Sequence, residues 1–274
     1  MANPYRGRQL ALATQHAKER AIAPAFEMHL GLRLVVPAGL DTDSLGTFTG
    51  ERPRPAPMHE TARRKARMGM SAAGLPLGVA SEGSFGPHPS VPFLAAGHEV
   101  MIFIDAEREL EVIEEQISPE TNFAAIDVTA DADIDGFLRR IGFPAHAVIL
   151  RADTGLVKAI TSRSQLDDAL QAATGPTRLE ADMRAHLNPT RLGEIGRLAD
   201  KLARRIATPC PACEAPGFGV VRAERGLPCA ECGTPTDLVN TLIAGCLRCG
   251  HESRLPRPDG QVSATASHCP ECNP

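Results

Sequence analysis

The chain has 274 residues, a formal net charge of −4, one Tyr and no Trp. That balance gives no global attraction to nucleic acid or to anionic membranes, and so few aromatic rings leave little for unpaired bases to stack on. The length fits one medium domain with an appendage, and all eight cysteines fall after residue 209, which puts the expected boundary near Thr208.

In chain order, Gln9 to Thr14 reads as a buried strand, Ala17 to Leu30 as a helix and Leu32 to Val36 as a second strand. Residues 37–57 are rich in Gly, Pro and Asp and form a loop too long to be a plain connection. His59 to Ala73 has the spacing of a basic amphipathic helix. Leu77 to Ala80 is then a strand that delivers the loop "SEGSFGPHP", where glycines turn the chain around Glu82 and prolines stiffen the exit.

His98 to Asp105 and Glu109 to Ile117 read as two more strands, and Asp133 to Ile141 as a helix. Ala145 to Ala152 and Leu156 to Thr161 are strands, followed by a helix from Ser164 to Ala173. Leu179 to Ala207 is helical in pattern and interrupted at Pro189, with Asn188 as the cap of the last helix. The expected fold class is α/β, a mixed sheet with flanking helices followed by a small tandem zinc-ribbon domain. The expected divisions are an α/β domain over 1–178, a helical connector over 179–207 and the ribbons over 208–274.

No run approaches the roughly 18 apolar residues that a membrane span needs, and Leu10 to Ala13 is too short for the apolar core of a signal peptide. A cytoplasmic location follows as the expectation, and there paired cysteines serve metals rather than disulfides. They form four Cys-x-x-Cys knuckles: Cys210 with Cys213, Cys229 with Cys232, Cys246 with Cys249, and Cys269 with Cys272. Each knuckle aims two sulfurs at one ion, so four knuckles imply two structural zinc ions with no open coordination position. Gaps of 15 residues between the first two knuckles and 19 between the last two favour sequential pairing, first with second and third with fourth. His251 and His268 are surplus to both sites. Residues 208–274 hold five Arg, no Lys and seven acids, and eight thiolates on two zinc ions add −4, so this region is poorly suited to phosphates. Protein contact or simple scaffolding is the better expectation for it, with Arg222 and Arg225 available for a local contact, and nucleic acid is the less favoured partner.

Loops that follow strands gather at one edge of an α/β sheet, where ligands usually bind. Here they carry Gln15, His16 and Lys18, then Asp41, Asp43 and Glu51, then Glu82 and His88, with Glu60 and Lys65 on the neighbouring helix. Lys18 and Lys65 suit a phosphate, and carboxylates such as Glu82, Asp43 and Glu60 suit magnesium, a hard cation that prefers oxygen. The order "QHAK", acidic loop, "ETARRKARMG" and "SEGSFG" resembles the house-cleaning pyrophosphatases that remove inosine and xanthosine triphosphates. It covers roughly the first 105 residues. Their strand-end Asn-x-x-Lys falls on Gln15 and Lys18, their helix motif on Glu60, Thr61, Ala62, Lys65 and Ala66, and their acidic loop on Glu82 and Gly83. Gln15 departs from the usual Asn, and Glu82 stands where one form of the family has two aspartates. The whole chain also resembles a bacterial domain-of-unknown-function family that ends in this four-knuckle array.

Two expectations follow. In one, the α/β domain binds a nucleotide or related phosphate compound with magnesium and hydrolyses it, with Glu82, Asp43 and Glu60 as catalytic acids and Gln15, His16, Lys18, Lys65 and His88 on the substrate. In the other, the protein is a non-enzymatic adaptor whose ribbons bind protein or nucleic acid.

Overall fold

The computed structural model describes residues 3–40 and 56–274, and the chain divides into two compact units, 1–203 and 204–274. The first unit is built on a five-stranded sheet. Its strands are β1 (Gln9–Leu12), β2 (Arg33–Val35), β3 (Leu77–His88), β4 (Val91–Asp105) and β5 (Leu110–Ser118), in the order β2-β1-β3-β4-β5. β1 runs parallel to β2 and β3, whereas β3, β4 and β5 form an antiparallel meander, so the sheet is mixed.

Helices α1 (Glu19–Leu30) and α2 (Met58–Ala73) precede β2 and β3. Small side chains bring α2 close to the sheet: Ala62 and Ala66 pack against Ala80, Ile102 and Ile104. Gly78 sits under the same helix, where a Cβ would come within 2.7 Å of the Met70 sulfur. On the sheet's other face Tyr5 meets Phe103 edge to face at 5.4 Å, with Phe26 beside it.

"SEGSFGPHP" is not the loop that its composition suggests. Residues 81–88 continue β3, paired with β4 from Ser81 opposite Met101 to Pro87 opposite Ala95. Among the described residues β1 pairs with β3 at Gly78 and Val79, and Pro87 sits at a register shift near the end of β3, where a proline's missing N–H is tolerated. Glu82 is therefore a strand residue, and it is buried.

A second, antiparallel sheet in the first unit contains β6 (Ala125–Asp127), β7 (Val148–Ala152), β8 (Gly155–Ile160) and β9 (Arg178–Ala181), in the order β6-β9-β7-β8. Helices α3 (Ile134–Ile141) and α4 (Arg163–Ala172) are capped by Asp133 and Ser162, which accept from the N–H groups of Gly136 at 2.7 Å and Gln165 at 3.2 Å. Phe137, Ile141, Val148, Leu150, Leu166 and Leu179 share the core of this layer. The segment read as one helix from Leu179 thus begins as strand β9, because alternation buries Leu179 and Ala181 in that core. A single 3-10 turn at Ala185–Leu187 follows, and α5 (Pro189–Ala207) starts where proline tolerates the missing N–H. Asn188 caps it as expected, with Oδ1 accepting from the N–H of Arg191 at 3.0 Å.

The second unit contains a small antiparallel sheet of β10 (Gly219–Arg225), β11 (Val239–Gly245) and β12 (Glu252–Leu255). No described helix is long and apolar enough to cross a membrane.

Candidate functional site

At the end of β1 the chain turns through Ala17, whose φ of 51° is left-handed, and Lys18 enters the interior. Its ammonium donates to the Ser81 carbonyl and to Ser81 Oγ, each at 3.0 Å. On the α2 side of the sheet Lys65 forms an ion pair with Glu82. On the other side Arg191, in the first turn of α5, donates from Nε to Glu99 Oε1 at 2.6 Å and from Nη1 to the Met183 carbonyl.

The register explains this layering. Gly83 lies opposite Glu99, so the buried ion pair rests on a position with no side chain; a Cβ there would come within 2.6 Å of Arg191 Nη2. Arg191 also lies over the Phe85 ring at 5.2 Å. Lys18 thus lies in the field of two cations, Arg191 and Lys65, and two carboxylates, Glu99 and Glu82.

The same field shifts the neighbouring ionisable groups. Burial, and then the charge on Arg191, lower Lys18 to about 8, even with Glu99 and Glu82 opposing. His16 stacks on His186 at 5.1 Å between centroids. Burial first, then Lys18, pushes His16 down to about 3, and His186 is lowered by burial and by Arg184. Both imidazoles are neutral at pH 7, as a cationic neighbourhood requires.

The expected site residues divide into two groups. Lys18, Lys65 and Glu82 come together, and His16 titrates under the influence of Lys18. Gln15 instead donates to the Leu40 carbonyl at 2.7 Å. His88 lies at the far end of β3, seven residues from Ser81 and so roughly 20 Å along the strand, where its Nδ1 accepts from the Ser90 N–H. Glu60 is held on the surface of α2 by Arg63 and Arg64. These positions separate His88 and Glu60 from the substrate and catalytic roles expected of them. Asp41, Asp43 and Glu51 lie outside the described residues.

Sequence reasoning missed Ser81, Glu99, His186 and Arg191. Glu99 left a trace: it shares its parity along β4 with buried Met101 and Phe103, which marks a carboxylate on an inward face. Arg191 is also traceable, since capping by Asn188 fixes the first turn that aims it.

The eight thiols form two groups in which all sulfurs lie within 4.8 Å of one another. Sulfur separations of 3.6 and 3.7 Å in the first and 3.5, 3.6 and 4.0 Å in the second match the roughly 3.8 Å edge of a tetrahedron with zinc–sulfur bonds of about 2.3 Å. The donor set fits zinc, four soft thiolates closing a structural site.

The sequential pairing of knuckles is corrected by these groups. Cys210 and Cys213 join Cys246 and Cys249, while Cys229 and Cys232 join Cys269 and Cys272. The cause is the β10–β11 hairpin. Gly219 pairs with Gly245, so the knuckle before β10 meets the knuckle after β11 at one end of the sheet. The second knuckle, at the opposite end, is tied to the fourth through hydrogen bonds of Ala264 with Pro228 and Ala230. The two sites interleave along the chain. In three knuckles the residue after the second cysteine is left-handed, with φ of 62° at Glu214, 75° at Gly233 and 72° at Gly250, and its N–H bonds the first cysteine's carbonyl. His251 and His268 belong to neither group. Arg222 is engaged by Glu252, and Arg225 by the Asp237 carbonyl, within the same unit.

The chain matches the family described as Domain of unknown function (DUF6671) over residues 65–274. It belongs to that family. The DUF6671 match includes Lys65, Glu82, Glu99, Arg191 and every cysteine, and begins after His16 and Lys18. No curated protein matches the chain.

Proposed function

We propose that the first unit of this zinc-binding protein binds a phosphorylated small molecule, a nucleotide or a related compound, at the cluster around Lys18 and Lys65. One observation carries the reading: the Lys18 ammonium is buried in the field of two further cations, Arg191 and Lys65. A buried cation is costly alone and favourable against an anion. Lys18 and Lys65 supply the donors, while Arg191, closed off by Glu99, contributes charge.

Hydrolysis extends the same reading. A phosphate that recruits Lys65 draws that cation from Glu82, whose carboxylate then takes a proton from a water whose oxygen bonds to phosphorus as the P–O bond to the leaving phosphate or alcohol breaks, the leaving oxygen being protonated in turn. Magnesium is not part of this proposal: Glu82 lies against Lys65, and the acids expected to join it, Asp41, Asp43 and Glu51, lie outside the described residues.

The test is the melting temperature of the zinc-loaded protein against nucleoside mono-, di- and triphosphates, with and without magnesium, with released phosphate and pyrophosphate measured in the same mixtures. Binding at one hundred times Kd stabilises by about 2.7 kcal/mol, which a thermal scan resolves. A shift with one class, lost in Lys18→Gln, is the expected result. No shift across the panel overturns the proposal.

A further inference from the structure

The sheet face under α2 carries another group of ligand-type side chains, which the phosphate site does not use. His98 on β4 has Nε2 3.0 Å from Oε2 of Glu115 on β5, and His59, in the first turn of α2, has Nε2 3.4 Å from the same oxygen. Three separate elements supply these groups, so their meeting is a product of the fold. The register places Val100 opposite Glu115 and His98 opposite Ile117, which makes His98 and Glu115 diagonal neighbours on one face.

Around a tetrahedral ion with nitrogen and oxygen ligands at about 2.0–2.2 Å, neighbouring donor atoms are roughly 3.3–3.6 Å apart. The two separations at Glu115 are close to that edge. Side chains of His59, His98 and Glu115 are 44, 34 and 53 % exposed, so an ion can reach them from solution and keep water in its remaining positions. Two imidazoles and one carboxylate suit zinc, nickel or cobalt better than calcium or magnesium.

We propose that His59, His98 and Glu115 form a third metal site, for an exchangeable divalent transition-metal ion with open coordination positions. It differs in kind from the closed thiolate sites. Each imidazole faces Glu115 Oε2, while the three donors do not all lie within 4.8 Å of one another as the thiolates do, so binding requires rotation of the exposed imidazoles toward a common ion. Glu82, Val100 and Glu115 occupy one row across three strands, which puts the site about 10 Å from Glu82 at the usual strand spacing. The proposal therefore stands independently of phosphate binding.

The experiment is a titration of the tag-free, zinc-loaded full chain with Co2+, followed by visible absorption and by the zinc content of the protein. Cobalt on nitrogen and oxygen gives d–d bands without thiolate-to-cobalt charge transfer, so displacement of the structural zinc is recognised directly. We expect one cobalt per chain with both zinc ions retained. His98→Ala and Glu115→Gln should each weaken it by about tenfold or more, since losing even an outer-shell partner of a metal ligand costs that much, while His88→Ala leaves it unchanged. Unaltered melting temperature and zinc content show that the variants fold. No cobalt bound beyond zinc exchange, or wild-type affinity in His98→Ala and Glu115→Gln, overturns the proposal.

Discussion

Arg191 and Glu99, 92 residues apart, meet through a 2.6 Å hydrogen bond with both side chains closed to solvent. Breaking a buried pair from one side leaves the other charge stranded, which costs about 3–5 kcal/mol. Arg191→Met should destabilise the first unit by that amount in urea unfolding. Arg191→Met combined with Glu99→Gln should recover most of the loss. Additive losses in the double variant would show that the two residues act separately.

Gly83 provides the floor for that pair. Gly83→Ala places a methyl within 2.6 Å of the Arg191 guanidinium, whereas a Cβ at Gly86, on the same strand, meets nothing within 4 Å. We expect a loss of about 1–3 kcal/mol at Gly83 and a change within about 0.5 kcal/mol at Gly86. Equal effects at the two glycines would contradict the packing described.

Lys18 makes stability depend on pH in a particular window. Its folded value of about 8 lies below the ordinary 10.5, so between those limits the unfolded chain holds a proton that the folded chain has released. Stability then rises with pH. The penalty of the buried charge is fully present below pH 8 and fades toward pH 10.5. Relative to Lys18→Met, in which other titrations cancel, the wild type should gain on the order of 3 kcal/mol between pH 7 and 10.5, from about 1.4 kcal/mol per unit. A constant difference between the two proteins over that range would count against the burial of a charged Lys18.

The interleaved zinc sites make a prediction that sequential pairing does not. Cys213 and Cys246 are ligands of one site, so Cys213→Ser with Cys246→Ser should remove one zinc and leave the Cys229, Cys232, Cys269 and Cys272 site filled. Sequential pairing would damage both sites. Metal analysis after dialysis against a mild chelator separates the two outcomes.

Much of the architecture was legible where local physics decides it. The amphipathic spacing of α2 and the proline start and Asn188 cap of α5 are local, and the structure has them at Met58–Ala73 and Pro189–Ala207. Glycine and proline obscured β3, because a strand that ends in an irregular register tolerates residues that an unbroken strand does not. The cysteine motifs disclosed the ligands but not their partners, since Gly219 opposite Gly245 depends on a hairpin that spacing alone cannot reveal. Lys65 with Glu82 followed from their neighbouring elements. The Arg191 and Glu99 pair did not, because only the docking of α5 on β4 brings them into contact.

The proposed phosphate site is built on Lys18 and its cationic neighbours. Its most direct test is calorimetric titration of the zinc-loaded protein with pyrophosphate at pH 8.5, in two buffers of different ionisation heat. At that pH Lys18 is partly deprotonated, so binding should take up a proton, and Lys18→Gln should lose both the uptake and at least about tenfold in affinity, some 1.4 kcal/mol. Wild-type protein that fails to bind pyrophosphate, or Lys18→Gln that binds it equally well, would contradict the account.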